Sequence, residues 1–212
     1  MKKTVLVLLA VAVVALATGC SKKNAASASA AVKNGKVKVG IIQLVEHPAL
    51  DAAYKGFVDG LADAGYKDGE NITIDYQNAQ GEQANCVTIA NKLVNDKDDL
   101  ILAIATPAAQ AVAQLTDSIP ILVTAVTDPE SAKLVETNAH PGNNVTGTSD
   151  LTPVSAQVDL LKRVVPNAKT VGLMFCSSEQ NSIFQIGLAK AACERSGLNY
   201  VEASVSNSNE IQ

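Results

Sequence analysis

The chain has 212 residues, with 17 Lys and Arg against 21 Asp and Glu and a formal net charge of −4. With no basic cluster to neutralise phosphates, this balance excludes a nucleic-acid partner. Aromatic residues are only 3 % of the chain and Trp is absent, so apolar character comes mainly from Ala, Val, Ile and Leu. Aliphatic strands with Ala-rich helices suit an α/β fold in which a parallel sheet is covered on both faces.

Lys2 and Lys3 precede an unbroken apolar run from Val5 to Ala17, which ends at Thr18, Gly19 and Cys20. The run is shorter than the roughly 20 residues that a membrane-spanning helix needs, and its flanks are those of a secretory signal. Residues 1–19 are therefore expected to be a signal peptide. Leu16-Ala17-Thr18-Gly19-Cys20 resembles the bacterial lipobox, with Ala17 where Leu is commoner, so Cys20 is the expected lipidation site. Residues 20–35, rich in Ala, Ser, Lys and Asn without periodicity, read as a lipid-anchored flexible tether. The expected location is extracytoplasmic, held to the cell membrane by lipid.

Order is expected from Lys36. Val37, Val39, Ile41, Ile42 and Leu44 form a β-rich stretch, and Pro48 then opens a segment with Leu50, Tyr54, Phe57, Leu61 and Ala64 at helical spacing. The strand–helix unit recurs as Ile72–Tyr76 with Glu82–Val94, Leu100–Ala105 with Pro107–Leu115, and Ile121–Val126 with a turn near Ser131. Such alternation predicts right-handed crossovers and parallel sheets. Gly142–Asp150 interrupts it with turn formers around a short β-prone stretch, read as a crossover strand. The unit restarts with helix Pro153–Val165, strand Thr170–Phe175, helix Gln180–Arg195 and strand Asn199–Val205, and Ser208–Gln212 resembles a helix cap and first turn. The predicted organisation is a first α/β lobe over 36–150 and the start of a second over 151–212, the latter incomplete.

In open parallel sheets ligands bind outside the carboxyl ends of the strands. Gln43, Glu46 and His47 follow the first strand, Thr106 the third, Thr127 and Asp128 the fourth, and Ser177, Ser178, Glu179 and Asn181 the strand ending near Phe175. Helices predicted at Pro48, Pro107 and Gln180 would offer N-termini to an anion such as a carboxylate. Glu46 and Asp128 suit an ammonium, so an amino acid would satisfy both sets. Singly, Thr106, Ser177 and Ser178 also suit helix caps, Asp128 before Pro129 suits a turn, and His47 suits a structural role.

Catalysis and metal binding find no support. His47 and His140 are the only two histidines, and neither has a metal-ligand cluster at ligand spacing. Gly-x-Ser-x-Gly, the Gly-rich phosphate loop and the dinucleotide fingerprint are absent, so neither an enzyme nor a cofactor is expected. Cys86, Cys176 and Cys193 read as free thiols, with a Cys176–Cys193 disulfide the alternative.

Val39-Gly40-Ile41-Ile42-Gln43, Val45-Glu46-His47-Pro48-Ala49-Leu50-Asp51, Tyr54-Lys55-Gly56-Phe57, Ala103-Ile104-Ala105-Thr106-Pro107, Ala125-Val126-Thr127-Asp128-Pro129, Pro141-Gly142-Asn143-Asn144-Val145-Thr146-Gly147 and Ser177-Ser178-Glu179-Gln180-Asn181-Ser182 occur in order. Together they resemble the substrate-binding lipoproteins of ABC transporters of the tryptophan/tyrosine-type family. The resemblance implies a type I-like periplasmic-binding-protein fold, with two lobes closing on a small ligand that is passed to a permease and its ATPase. It makes Glu46, Thr106, Thr127, Asp128, Ser178 and Asn181 the candidate ligand contacts and an aromatic amino acid the expected ligand. It also implies a C-terminal truncation, since members of that family continue for more than a hundred residues. A ligand-sensing module of a membrane receptor and an extracytoplasmic hydrolase are the alternative readings.

Overall fold

The computed structural model describes residues 36–211. The expected signal peptide, Cys20 and the tether lie outside the described residues. A five-stranded parallel sheet has the order β2-β1-β3-β4-β5, built from β1 (Val37–Gln43), β2 (Ile72–Asn78), β3 (Leu100–Ile104), β4 (Ile121–Val126) and β5 (Val145–Ser149). β1 lies between β2 and β3, with Gln43 opposite Asn78 on one side and Ile104 on the other.

The helices cover both faces of this sheet. α1 (Pro48–Asp63) lays Leu50, Tyr54 and Phe57 against Val39, Ile41, Leu102 and Ile104. α2 (Gln83–Asn95) and α3 (Thr106–Ala113) pack Cys86, Ala90, Leu93, Ala108, Ala109 and Val112 against Ile42, Ile101, Ala103, Ile121 and Val123. Alternation along β1 sends Ile41 to the α1 side and Ile42 to the other, which is why its run is apolar without a polar face. Pro48 begins α1 where a missing N–H costs nothing, and the His47 side chain caps the helix, its Nδ1 accepting from Ala49 N at 3.2 Å. That places His47 in the structural role the sequence allowed it.

β5 joins the sheet edge through an irregular stretch. Register shifts between Val123 and Val126, where Ala125 takes φ +53. Gly147 pairs with Val123, and any Cβ there would collide with the Val123 backbone. Only glycine admits that approach. The 142–150 segment predicted as a crossover strand is thus an edge strand of the first sheet.

A second parallel pair, β6 (Thr170–Cys176) with β7 (Asn199–Val205), runs in register from Thr170↔Asn199 to Cys176↔Val205. α4 (Val154–Val164) and α5 (Gln180–Arg195) cover one face through Val158, Ala192 and Cys193, joined by Leu198 from the turn before β7. On the other face Met174 is 60 % and Val201 62 % exposed. Ser208–Glu210, where the sequence suggested the start of a helix, forms one 3-10 turn.

Cys86, Cys176 and Cys193 are all free thiols; Cys86 and Cys193 are buried, Cys176 half-buried. Burial pushes the Cys86 thiol up to about 11, so it is a core side chain rather than a nucleophile. Among the described residues no helix is long and apolar enough to cross a membrane, and no group of three or more His, Cys, Asp and Glu could hold a metal ion.

Candidate functional site

The strand order fixes where a ligand can lie. From β1 the chain goes by α1 to β2 on one side, then by α2 to β3 on the other, so the direction of winding reverses between β1 and β3. The loops leaving the two strands diverge there and open a crevice at their carboxyl ends. Gln43 ends β1, and Thr106 begins α3 two residues after β3.

Thr106 is 2 % exposed and its Oγ1 has no hydrogen-bond partner. It caps nothing: the N-cap of α3 is Ala105, held at φ +85 and ψ 152, and α3 has no side-chain cap. A left-handed φ at a non-glycine residue is strained, and it sits where the chain turns from the crevice into the helix. Thr127 is 6 % exposed, and its Oγ1 accepts from Gln185 Nε2 at 3.4 Å. Asp128 organises the next loop, its Oδ1 accepting from Ser131 N at 3.0 Å and from Asn138 Nδ2 at 3.1 Å. The turn role the sequence allowed for Asp128 is therefore filled by one of its two carboxylate oxygens.

On the second sheet, Ser178 Oγ donates to Ser206 O at 2.9 Å and lies 3.1 Å from Cys176 Sγ. Asn181 Nδ2 is 3.5 Å from Glu179 Oε2, whereas its Oδ1 is buried and unpartnered. α5 has no side-chain cap either, so the positive end of its dipole is uncompensated by a cap. Ser182, in the first turn of α5, ties the preceding loop back: its Oγ accepts from Cys176 N at 2.9 Å.

Between the two sheets lies a cavity of about 810 Å³, lined by Leu44, Val45 and Pro107 from the first and by Phe175, Ser178 and Val205 from the second, among others. Of the six candidate contacts only Ser178 is on its wall; Thr106 adjoins it through Pro107, and Asn181 lies between its lining residues Glu179 and Ser182. Thr127 and Asp128 stand at the β4 end, where Gln185 of α5 comes across. Glu46 is exposed in the β1–α1 loop and does not line the cavity. The Tyr76 phenol is pushed up by burial first and by the nearby Asp51, Tyr54 and Glu46, against a hydrogen bond with Asn78. The β1 end is thus an acidic neighbourhood, favourable to a cation.

Two glutamines that the sequence reading did not single out join the sheets across this cleft. Gln83 Nε2 donates to Ser178 O at 2.8 Å, and Gln185 Nε2 reaches Thr127 Oγ1. Their only sequence signal is a polar residue near each helix start on an otherwise ordinary face. Gln43 was noted after the first strand but not counted as a contact. Its signal was there: it continues the inward series Val37, Val39, Ile41 with an amide, and it is fully buried.

A two-sheet α/β molecule with a cavity between the sheets and buried, unpartnered polar atoms on residues near it suits a solute-binding protein. The chain belongs to the ABC transporter substrate binding protein family, whose model matches residues 38–212. It is 45 % identical over 202 residues to a tyrosine-binding protein of Clostridioides difficile (strain R20291), covering 93 % of this chain and 59 % of that one. Among solved structures it is similar to an ABC domain in complex with L-Trp from Streptococcus pneumonia, with 45 % identity, a TM-score of 0.79, and 84 % of this chain and 60 % of that chain covered. A ligand-free, open substrate binding protein with adhesive properties from Clostridium difficile is 51 % identical with a TM-score of 0.63, over 82 % of this chain and 59 % of that one. The chain therefore spans about three fifths of the length of these relatives.

Proposed function

We propose that this chain supplies the solute-binding part of an extracytoplasmic ABC importer component, taking an aromatic amino acid between its lobes. The observation that carries this reading is the pair Thr106 Oγ1 and Asn181 Oδ1, buried and unpartnered on opposite lobes beside one cavity. An orphaned buried polar atom costs about 1–3 kcal/mol, and a site that waits for a ligand's polar groups gives a reason to keep it. A cavity of about 810 Å³ is within the range of small-molecule sites, and Leu44, Val45, Pro107 and Phe175 give an aromatic ring an apolar wall. Relatives described as binding tyrosine and as complexed with L-Trp support that choice of side chain.

In this reading Thr106, Thr127, Ser178 and Asn181 hold the polar end of the ligand together with the α3 and α5 N-termini, while Glu46 and Asp128 face its ammonium. Transfer goes to an ABC permease and its ATPase, with Cys20 carrying the lipid that holds the protein at the membrane. No nucleophilic role is proposed for Ser178, whose Oγ engages Ser206 O and Cys176 Sγ rather than a histidine or carboxylate base.

Calorimetric titration with L-tryptophan, L-tyrosine and the remaining amino acids, with a sugar and a divalent metal as controls, tests the reading. Binding of an aromatic amino acid is expected. Inert amino acids with an active sugar or metal would overturn it.

A further inference from the structure

We infer that Gln43 is a ligand-contacting residue whose side-chain oxygen accepts a hydrogen bond from the ligand's ammonium group, and that Asp51 holds it in the orientation to do so. This rests on the amino-acid reading of the cleft and names a residue that reading did not include.

Gln43 is wholly buried at the carboxyl end of β1, at the point where the winding reverses, directly before the cavity-lining Leu44 and Val45. Leucine there would continue the apolar series, so an amide is an expense that packing does not explain. Its Nε2 donates to Val45 O at 2.9 Å and to Asp51 Oδ1 at 2.7 Å. Both partners are acceptors, which settles the orientation of the amide: nitrogen faces the loop and α1, and Oε1 is the atom left over. That Oε1 is buried and unpartnered. An amide oxygen can only accept, so the group that completes it must be a donor. The Asp51 charge pulls on the N–H side of the amide and polarises it, making Oε1 a better acceptor for a cation. Asp128, the carboxylate otherwise placed to meet an ammonium, already has Oδ1 occupied by Ser131 N and Asn138 Nδ2.

The test titrates L-tryptophan and indole-3-propionate, which keeps ring and carboxylate but lacks the amine, into the wild-type chain, Gln43→Met and Asp51→Ala. Gln43→Met is expected to weaken L-tryptophan about tenfold or more while leaving indole-3-propionate within about twofold, so that the two ligands converge. Asp51→Ala, which frees the amide to turn, is expected to shift the ratio the same way by less. Asp51→Ala alone decides the matter should Gln43→Met fail to fold by circular dichroism. Equal losses for both ligands, or no loss for either, would make Gln43 a packing residue and overturn the inference while leaving amino-acid binding intact. A wild-type chain that binds neither L-tryptophan nor L-tyrosine would instead sink the functional reading itself, and this inference with it.

Discussion

Gln83 and Ser178 are 95 residues apart in sequence and meet across the cleft, the Gln83 amide donating to the Ser178 carbonyl at 2.8 Å. Both belong to the cavity wall, so the bond closes the lobes at the place a ligand would occupy. A hydrogen bond of this kind contributes about 0.5–1.5 kcal/mol, enough to shift an open–closed equilibrium about two- to tenfold. Gln83→Ala is expected to raise the radius of gyration measured by small-angle scattering without ligand and to weaken L-tryptophan binding a few-fold. An unchanged scattering profile would show that the contact follows closure rather than favouring it.

Asp128 has two roles to separate, and asparagine separates them. Asp128→Asn keeps an oxygen for Ser131 N but removes the charge. Loss of a charged hydrogen bond to the ligand costs about 1.5–3 kcal/mol. L-tryptophan affinity should fall by at least about tenfold while the urea midpoint hardly moves; a shifted midpoint with unaltered affinity would leave Asp128 a turn residue.

Thr106→Val should act in opposite directions on folding and binding. Replacing a buried, unpartnered hydroxyl by a methyl group of like shape relieves a desolvation cost, so stability should hold or rise by about 1 kcal/mol. Binding should weaken in calorimetry. A variant that loses stability and keeps its affinity would mean that the hydroxyl serves the fold.

At the opposite end of the first sheet, Asp98 is 6 % exposed beneath Gly40, and its Oδ2 is unpartnered. Burial, with Asp75 and Asp96 adding to it against Lys38 and Lys92, pushes its carboxyl up to about 6. The folded state therefore holds this proton more tightly than the unfolded chain, whose ordinary value is 3.8. Its contribution favours folding below about pH 4, declines as pH rises to about 6, and thereafter leaves a penalty of about 2–3 kcal/mol. Urea titrations of Asp98→Asn and wild type between pH 4 and 8 should diverge over that window, the variant being relatively more stable at the alkaline end. Parallel curves would show that Asp98 titrates like an exposed carboxyl.

On the proposed lipid anchor, Cys20→Ser should release the protein from membranes in cell fractionation, because that attachment alone is removed. Mutant protein that still sediments with membranes after controls for uncleaved signal would assign the anchor to something else.

Much of the fold is legible because burial on both sheet faces writes itself as apolar runs such as Val39–Ile42 and Leu100–Ala105, with Pro48 and Pro107 marking helix starts. The pairing of residues 145–149 with β4 was not, since Gly147 and the Val123–Val126 irregularity answer to a backbone approach that periodicity does not encode. Strand ends pointed to Thr106 and Asn181 because polar residues there interrupt apolar patterns. Gln83, Gln185 and the orientation of Gln43 escaped, because each depends on partners between 8 and 95 residues away that only the folded chain brings near.

The reversal of winding between β1 and β3 has a consequence for how this molecule can change. The crevice is produced by the path of the backbone, held by Ile41, Ile42, Ala103 and Ile104, and none of Gln43, Thr106 or Thr127 belongs to those apolar clusters. Place and preference are thus written in different residues. On the proposed function, substitution at the crevice would retune which solute is chosen while the scaffold goes on choosing where.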